Sequence, residues 1–133
     1  MSKYIYPAIF KPEGNGAFSV MFPDIEGCYT GGDNLQEAFE MAEDALALML
    51  YHYEQEGTPI NPPSDISDIN LQKKEFVSFV PCDTIEYQKK NNNRAVKKTL
   101  TVKEWINEAA MKKNVKFSKV LERGLLQELG LHA

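Results

Sequence analysis

The sequence predicts an α+β protein built as two modules, β-β-β-α-β followed by β-α-α. Three observations carry this prediction. Residues 35–56 repeat apolar side chains at three- and four-residue spacing, the mark of one long amphipathic helix. Shorter apolar or alternating stretches lie around it, bounded by glycine and proline, as strands are. The charge also changes sign along the chain. Residues 1–93 hold 6 Lys/Arg against 15 Asp/Glu, a balance of −9, and residues 94–133 hold 9 against 4, a balance of +5. The whole-chain value of −4 thus hides an acidic body and a basic tail. A hydrophobic content of 43% is ordinary for a folded protein and excludes global disorder.

Lys3–Phe10, rich in Tyr and Ile, reads as the first strand, and Pro12-Glu-Gly-Asn-Gly16 is a strong turn signal. Ala17–Phe22 returns as its hairpin partner, with Phe18, Val20 and Phe22 on one face. Phe22-Pro-Asp-Ile-Glu-Gly-Cys-Tyr-Thr30 is a sharp turn into a short third strand, which Gly31-Gly32 is expected to break. Asn34 and Glu37 form a capping-box-like helix start. The helix then runs from Leu35 to Glu56 with a buried stripe of Leu35, Ala38, Phe39, Ala42, Leu46, Met49, Leu50 and Tyr53, and Gly57 stops it. Its wet face carries Glu37, Glu40, Glu43 and Asp44. Thr58–Asn70, with three prolines, is read as a loop or exposed arm. Glu75–Val80 is nearly all apolar and is expected to be a central strand. The polar run Gln88–Arg94 divides a domain at 1–87 from one at 95–133 and reads as their linker.

In the tail, Val96, Leu100 and Val102 share one face of an extended segment, and Lys97, Thr99 and Thr101 the other. Lys98 interrupts the apolar face. A helix follows from about Lys103 to Lys113 with Trp105, Ile106, Ala109 and Ala110 in its stripe, and Asn114 as a left-handed cap. Ser118 is the expected N-cap of the last helix, whose stripe is Val120, Leu121, Gly124, Leu125 and Leu129. A unit of about 40 residues is too small to bury these faces alone, which points to an intertwined homodimer. A half-buried strand with a polar face, followed by two short helices, resembles a ribbon-helix-helix DNA-binding module. In such modules paired strands from two protomers enter the major groove. Lys97, Thr99 and Thr101 would then face base edges. Lys116, Ser118 and Lys119, with the free amides of Ser118, Lys119 and Val120, would hold a phosphate. The competing reading is an ordinary helical hairpin with solvated lysines.

No group of residues makes a persuasive catalytic or metal site. A solvated face accounts for the helix carboxylates, and turn chemistry accounts for Asp24 and Asp33. His52 has no partner three or four residues away, and Cys28 has no base beside it in sequence. There is no phosphate-binding glycine loop or nucleophile elbow. The chain is expected to be no enzyme and to need no cofactor or metal. Two cysteines without metal spacing, no signal-like start and no apolar run beyond Ala45–Tyr51 suggest a cytoplasmic protein without a membrane span.

Tyr4–Phe10, the glycine turn, Phe18–Phe22, Phe22-Pro-Asp-Ile-Glu-Gly-Cys28 and Gly32-Asp-Asn-Leu-Gln-Glu-Ala38 together resemble the HicB antitoxin family. The tail, with Lys98-Thr-Leu-Thr-Val102, Trp105-Ile106 and Phe117-Ser118, is similar to the ribbon-helix-helix end that many members carry. Thr101 stands where a proline is common, and Lys98 where an apolar residue is usual. The resemblance implies a degenerate RNase H-like first domain without catalytic carboxylates. It implies that this domain neutralises a small basic HicA-type mRNA-cleaving toxin. It implies, too, that the tail binds double-stranded operator DNA as a dimer or tetramer, repressing its own operon. Contacts with the toxin are expected at the Asp24–Tyr29 turn, through Asp24, Glu26 and Tyr29. The alternative function is a stand-alone transcriptional regulator whose first domain senses a ligand or protein. A metal-dependent RNase H-like nuclease is a further rival.

Overall fold

The structure, a computed structural model, describes residues 2–132 and divides into two compact units, Met1–Arg94 and Ala95–Ala133. The first holds β1 (Lys3–Gly14), β2 (Ala17–Met21), β3 (Tyr29–Gly32), α1 (Leu35–Glu56), β4 (Phe76–Asp83) and α2 (Thr84–Asn91). Its antiparallel sheet has the order β3-β2-β1-β4. Tyr6 pairs with Val80 and Phe10 with Phe76 across β1 and β4, while Phe10 pairs with Val20 across β1 and β2. Alternation puts Tyr6, Ala8, Phe10, Val20 and Val80 on one face, and α1 covers that face with Ala38, Ala42, Leu46 and Leu50. The helix residues sit four apart, so they form one row along the helix.

Local chemistry sets the ends of α1. The Glu37 amide donates to Asn34 Oδ1 at 2.8 Å, and Glu37 Oε1 accepts from the Asp33 amide at 3.1 Å. This is a capping box whose return bond lands one residue early. Gly57, at φ +69°, ends the helix in the left-handed conformation. Leu35 lies at the expected end of the buried stripe but is 48% exposed.

Four expectations need correction. Gly31 and Gly32 do not break β3; they pair with Ser19 and Phe18 inside it. A Cβ on Gly32 would lie 2.4 Å from the Ala38 amide nitrogen, so glycine lets the strand meet the helix backbone. β4 is an edge strand, because only β1 pairs with it among the described residues. The 58–70 segment is the expected loop and is mostly exposed, but it is no free arm. It contains one 3-10 turn, Ile66–Asp68, and Ile60 packs on the core. Finally, Gln88–Asn91 are helical rather than linker. Asp83 caps α2 by accepting from the Ile85 amide at 2.9 Å, and the Tyr87 ring lies 5.5 Å from that of Tyr51 on α1. The Ser2 amide donates to Thr84 Oγ1 at 2.9 Å, and the Thr84 amide donates to the Ser2 carbonyl at 3.0 Å. These bonds tie the first strand to the start of the last helix of the unit.

The second unit holds α3 (Glu104–Lys112) and α4 (Phe117–Leu129). Asn114, at φ +54°, turns the chain between them, and the Val115 amide donates to the Ala110 carbonyl at 3.1 Å. The expected strand at 96–102 has no regular structure in the single chain. A strand is held by its neighbour's ladder of hydrogen bonds, and no described strand of this chain lies beside it. No described helix is long and apolar enough to cross a membrane.

Candidate functional site

The Phe22–Cys28 turn is closed by its own backbone. The Ile25 amide donates to the Phe22 carbonyl at 3.3 Å, the Cys28 amide to the Ile25 carbonyl at 3.2 Å, and the Phe22 amide to the Cys28 carbonyl at 3.2 Å. Phe22, Ile25 and Cys28 point into the core, which pushes the residues between them outward. Of the expected contacts, Glu26 is exposed and Tyr29 is 68% exposed. Asp24 is partly buried and holds the 58–70 segment. Its Oδ2 accepts from the Ser64 amide at 2.9 Å, its Oδ1 accepts from the Ser64 hydroxyl, and its carbonyl accepts from Asn61 Nδ2 at 3.2 Å. The Tyr6 hydroxyl donates to the Asn61 carbonyl beside it. The structure therefore separates Asp24, a fastener, from Glu26 and Tyr29, which face outward.

The carboxylates of α1 do not assemble into a metal site. No group of three or more His, Cys, Asp or Glu among the described residues could hold an ion. His52 is exposed and meets the ring of Tyr51 edge-on at 5.7 Å. Burial pushes the Cys28 thiol up to about 11 and, with Asp83 adding charge repulsion, the Cys82 thiol up to about 12. Neither thiol is a nucleophile near neutral pH. Tyr4 donates its hydroxyl to Glu54 Oε2 at 2.7 Å, a bond that fastens β1 to α1.

In the second unit, Lys97, Thr99 and Thr101 are all exposed. Ser118 is not the N-cap. Lys116 occupies that position without a side-chain bond, and Ser118 lies in the first turn. The Val120 amide already donates to the Lys116 carbonyl at 3.1 Å. The helix-end amides are consequently those of Phe117, Ser118 and Lys119, one residue earlier than expected. Lys116 and Lys119 flank them, so cationic side chains and a helix N-terminus coincide there. None of the described residues in this unit is buried. Leu100, Val102, Trp105, Val120 and Leu125 are between 43% and 69% exposed. An open hollow lined by Leu100, Val102, Phe117, Val120 and Leu121 lies within it.

Sequence reasoning missed α2 and the Asp24–Ser64 fastening. The Asp83-Thr84-x-Glu86 cap signal could have found the first. No local signal joins two residues 40 apart.

Comparison with known proteins agrees with this architecture. A solved chain from a toxin–antitoxin complex of Streptococcus pneumoniae aligns with 95% of this chain and 99% of its own, at TM-score 0.62 and 26% identity. A crystal structure of an antitoxin HicB3 covers 82% of this chain and 81% of its own, at TM-score 0.50 and 30% identity. Antitoxin HicB 2 of Photorhabdus laumondii is 43% identical over 65 residues, which are 48% of this chain and 46% of that protein. The match thus spans about half the length of that curated relative. A family model described as the HicB-like antitoxin of bacterial toxin–antitoxin systems matches residues 6–124. That match runs through both units, and the chain belongs to the HicB-like antitoxin family.

Proposed function

We propose that this chain neutralises a small HicA-type mRNA-cleaving toxin through its first unit and represses its own operon through its second. One observation carries the division of labour: the first unit has a closed core, whereas the second exposes every apolar stripe it has. A second copy is the simplest cover. Pairing two 96–102 segments would complete a ribbon-helix-helix, bury Leu100 and Val102, and leave Lys97, Thr99 and Thr101 outward for base edges. Phe117, Ser118 and Lys119 amides, with Lys116 and Lys119, would then grip backbone phosphate. The dimer, or a tetramer made of two such dimers, is the DNA-binding form.

The acidic balance of the body suits a cationic ribonuclease. Glu26 and Tyr29 offer contacts on the β3 side, and Asp24 supports their turn from behind. The degenerate RNase H-like reading of this unit is supported by the three-stranded meander with a helix on one face. β1, β2 and β3 carry one carboxylate between them, Glu13, which accepts from Ser19 Oγ at 2.8 Å, and this supports a binding rather than a catalytic role.

The test is a growth assay paired with a gel shift. The small basic open reading frame beside the gene is expressed alone and with this chain. Arrest that the chain relieves, together with retardation of its own promoter fragment, is the expected outcome. Promoter binding without any relief would replace the antitoxin reading with a stand-alone regulator.

A further inference from the structure

Between α1 and the β4 edge runs an open groove that no described residue covers. Its floor is aromatic. Phe10 is fully buried and stacks on Phe76 at 5.3 Å and on Phe39 at 6.3 Å. Phe76 is 37% exposed and Leu35, at one end, 48% exposed. These are large apolar side chains left wet beside a well-packed core, and Phe76 lies on a strand whose outer edge has no neighbour among the described residues. The rim has one sign of charge: Glu40 and Glu43 line it, and no lysine or arginine does. Glu40 accepts from Gln36 Nε2 at 3.3 Å. Among the described residues neither Glu43 nor Asp44 has an ion pair. Carboxylates continue past Asp44 and Asp83 toward Glu86, where Lys90 lines the same stretch and Lys89 pairs with Glu86 at 3.2 Å.

An apolar centre bordered on its helix side by Glu40 and Glu43 is complementary to one kind of surface: an aliphatic or aromatic anchor flanked by Lys or Arg. We propose that this groove is where the toxin's basic surface docks, with its anchor on Phe10, Phe39 and Phe76 and its cations on Glu40, Glu43 and Asp44. The assignment rests on the antitoxin reading above and goes beyond it by naming the surface. It places the main contact at the β4 edge, and the Glu26–Tyr29 turn on the other edge strand becomes secondary.

The experiment measures toxin affinity of the full chain by calorimetry, using the product of the neighbouring basic open reading frame inactivated at its catalytic residue. The variants are Glu40→Lys with Glu43→Lys, Leu35→Ser, and Glu56→Lys as a single charge reversal elsewhere on the same helix. Leu35, Glu40 and Glu56 are exposed and Glu43 is half-buried, and equal melting temperatures confirm folding. The double reversal is expected to weaken binding about 100-fold and to flatten its salt dependence. Leu35→Ser should weaken it about 10-fold. Glu56→Lys should stay within about 3-fold. Unchanged affinity in the double reversal, or a loss found only in Glu26→Lys with Tyr29→Ala, overturns the groove. Tighter promoter binding by the groove variants, with toxin affinity intact, would instead make the chain's own basic tail the occupant. A wild-type chain that binds no toxin removes the antitoxin reading and the groove with it.

Discussion

Leu46 and Leu50 of α1 are completely buried, whereas Leu125 and Leu129 of α4 are 52% and 65% exposed. All four sit on helical stripes of the same period. What differs is the supply of covering surface. The first unit brings a four-stranded sheet to its helix from within the chain. The second brings two short helices and an unpaired segment, and has nothing to lay over them. Amphipathicity thus states a demand for burial without saying which chain meets it.

The comparison breaks most decisively if the tail is folded without a partner. Leu125→Glu should abolish dimerisation and weaken operator binding by 100-fold or more, about 3 kcal/mol, while the melting of the first unit stays put. Sedimentation with a gel shift checks this, and a monomeric wild type that binds DNA would end it. Gly32→Ala attacks the other side. Its Cβ would meet backbone at 2.4 Å, and backbone cannot rotate away, so the first unit should lose about 3 kcal/mol in urea with dimerisation unaffected.

Smaller changes sharpen the division. Lys97→Ala or Thr99→Ala should each lower operator affinity by about 1–2 kcal/mol and leave toxin neutralisation intact, with the lysine change also reducing the salt slope by about one. Loss of both functions together would contradict two independent units. Asp24→Ala should cost about 1 kcal/mol and speed proteolytic nicking in the 58–70 segment, read by mass spectrometry. The least effect is on the thiols. Their raised pKa values mean the folded state holds protons that the unfolded state releases above pH 9. Their contribution to the stability of the first unit is therefore constant below pH 9 and is lost as pH rises through about 11–12. Iodoacetamide should accordingly label neither Cys28 nor Cys82 at neutral pH without denaturant.

Legibility from sequence followed the range of the forces involved. Both ends of α1 were readable because Asn34, Glu37 and Gly57 act within four residues. The Asn114 turn was readable for the same reason. The edge position of β4 was not, since its apolar run is the same whether one strand or two flank it. Gly31-Gly32 carried two meanings, chain breaker and close approach, and only the position of Ala38 selects between them. Ser118 has a capping side chain, yet the helix begins one residue before it. For the candidate sites, charge and polarity marked the tail lysines and the α1 carboxylates, while the use of Asp24 depended on distant Ser64.

The bonds between Ser2 and Thr84 give the first unit a mechanical property. Its opening strand and its closing helix are stitched there, beside the Lys3–Asp83 pairing of β1 with β4, so the unit closes on itself with a short lead leaving it after α2. Tension applied to the tail, by a threading protease or by bound DNA, meets α2 and its Tyr87–Tyr51 contact first, then that stitch, and only then the sheet. The lead can be pulled, shortened or cut while the body it emerges from keeps its shape.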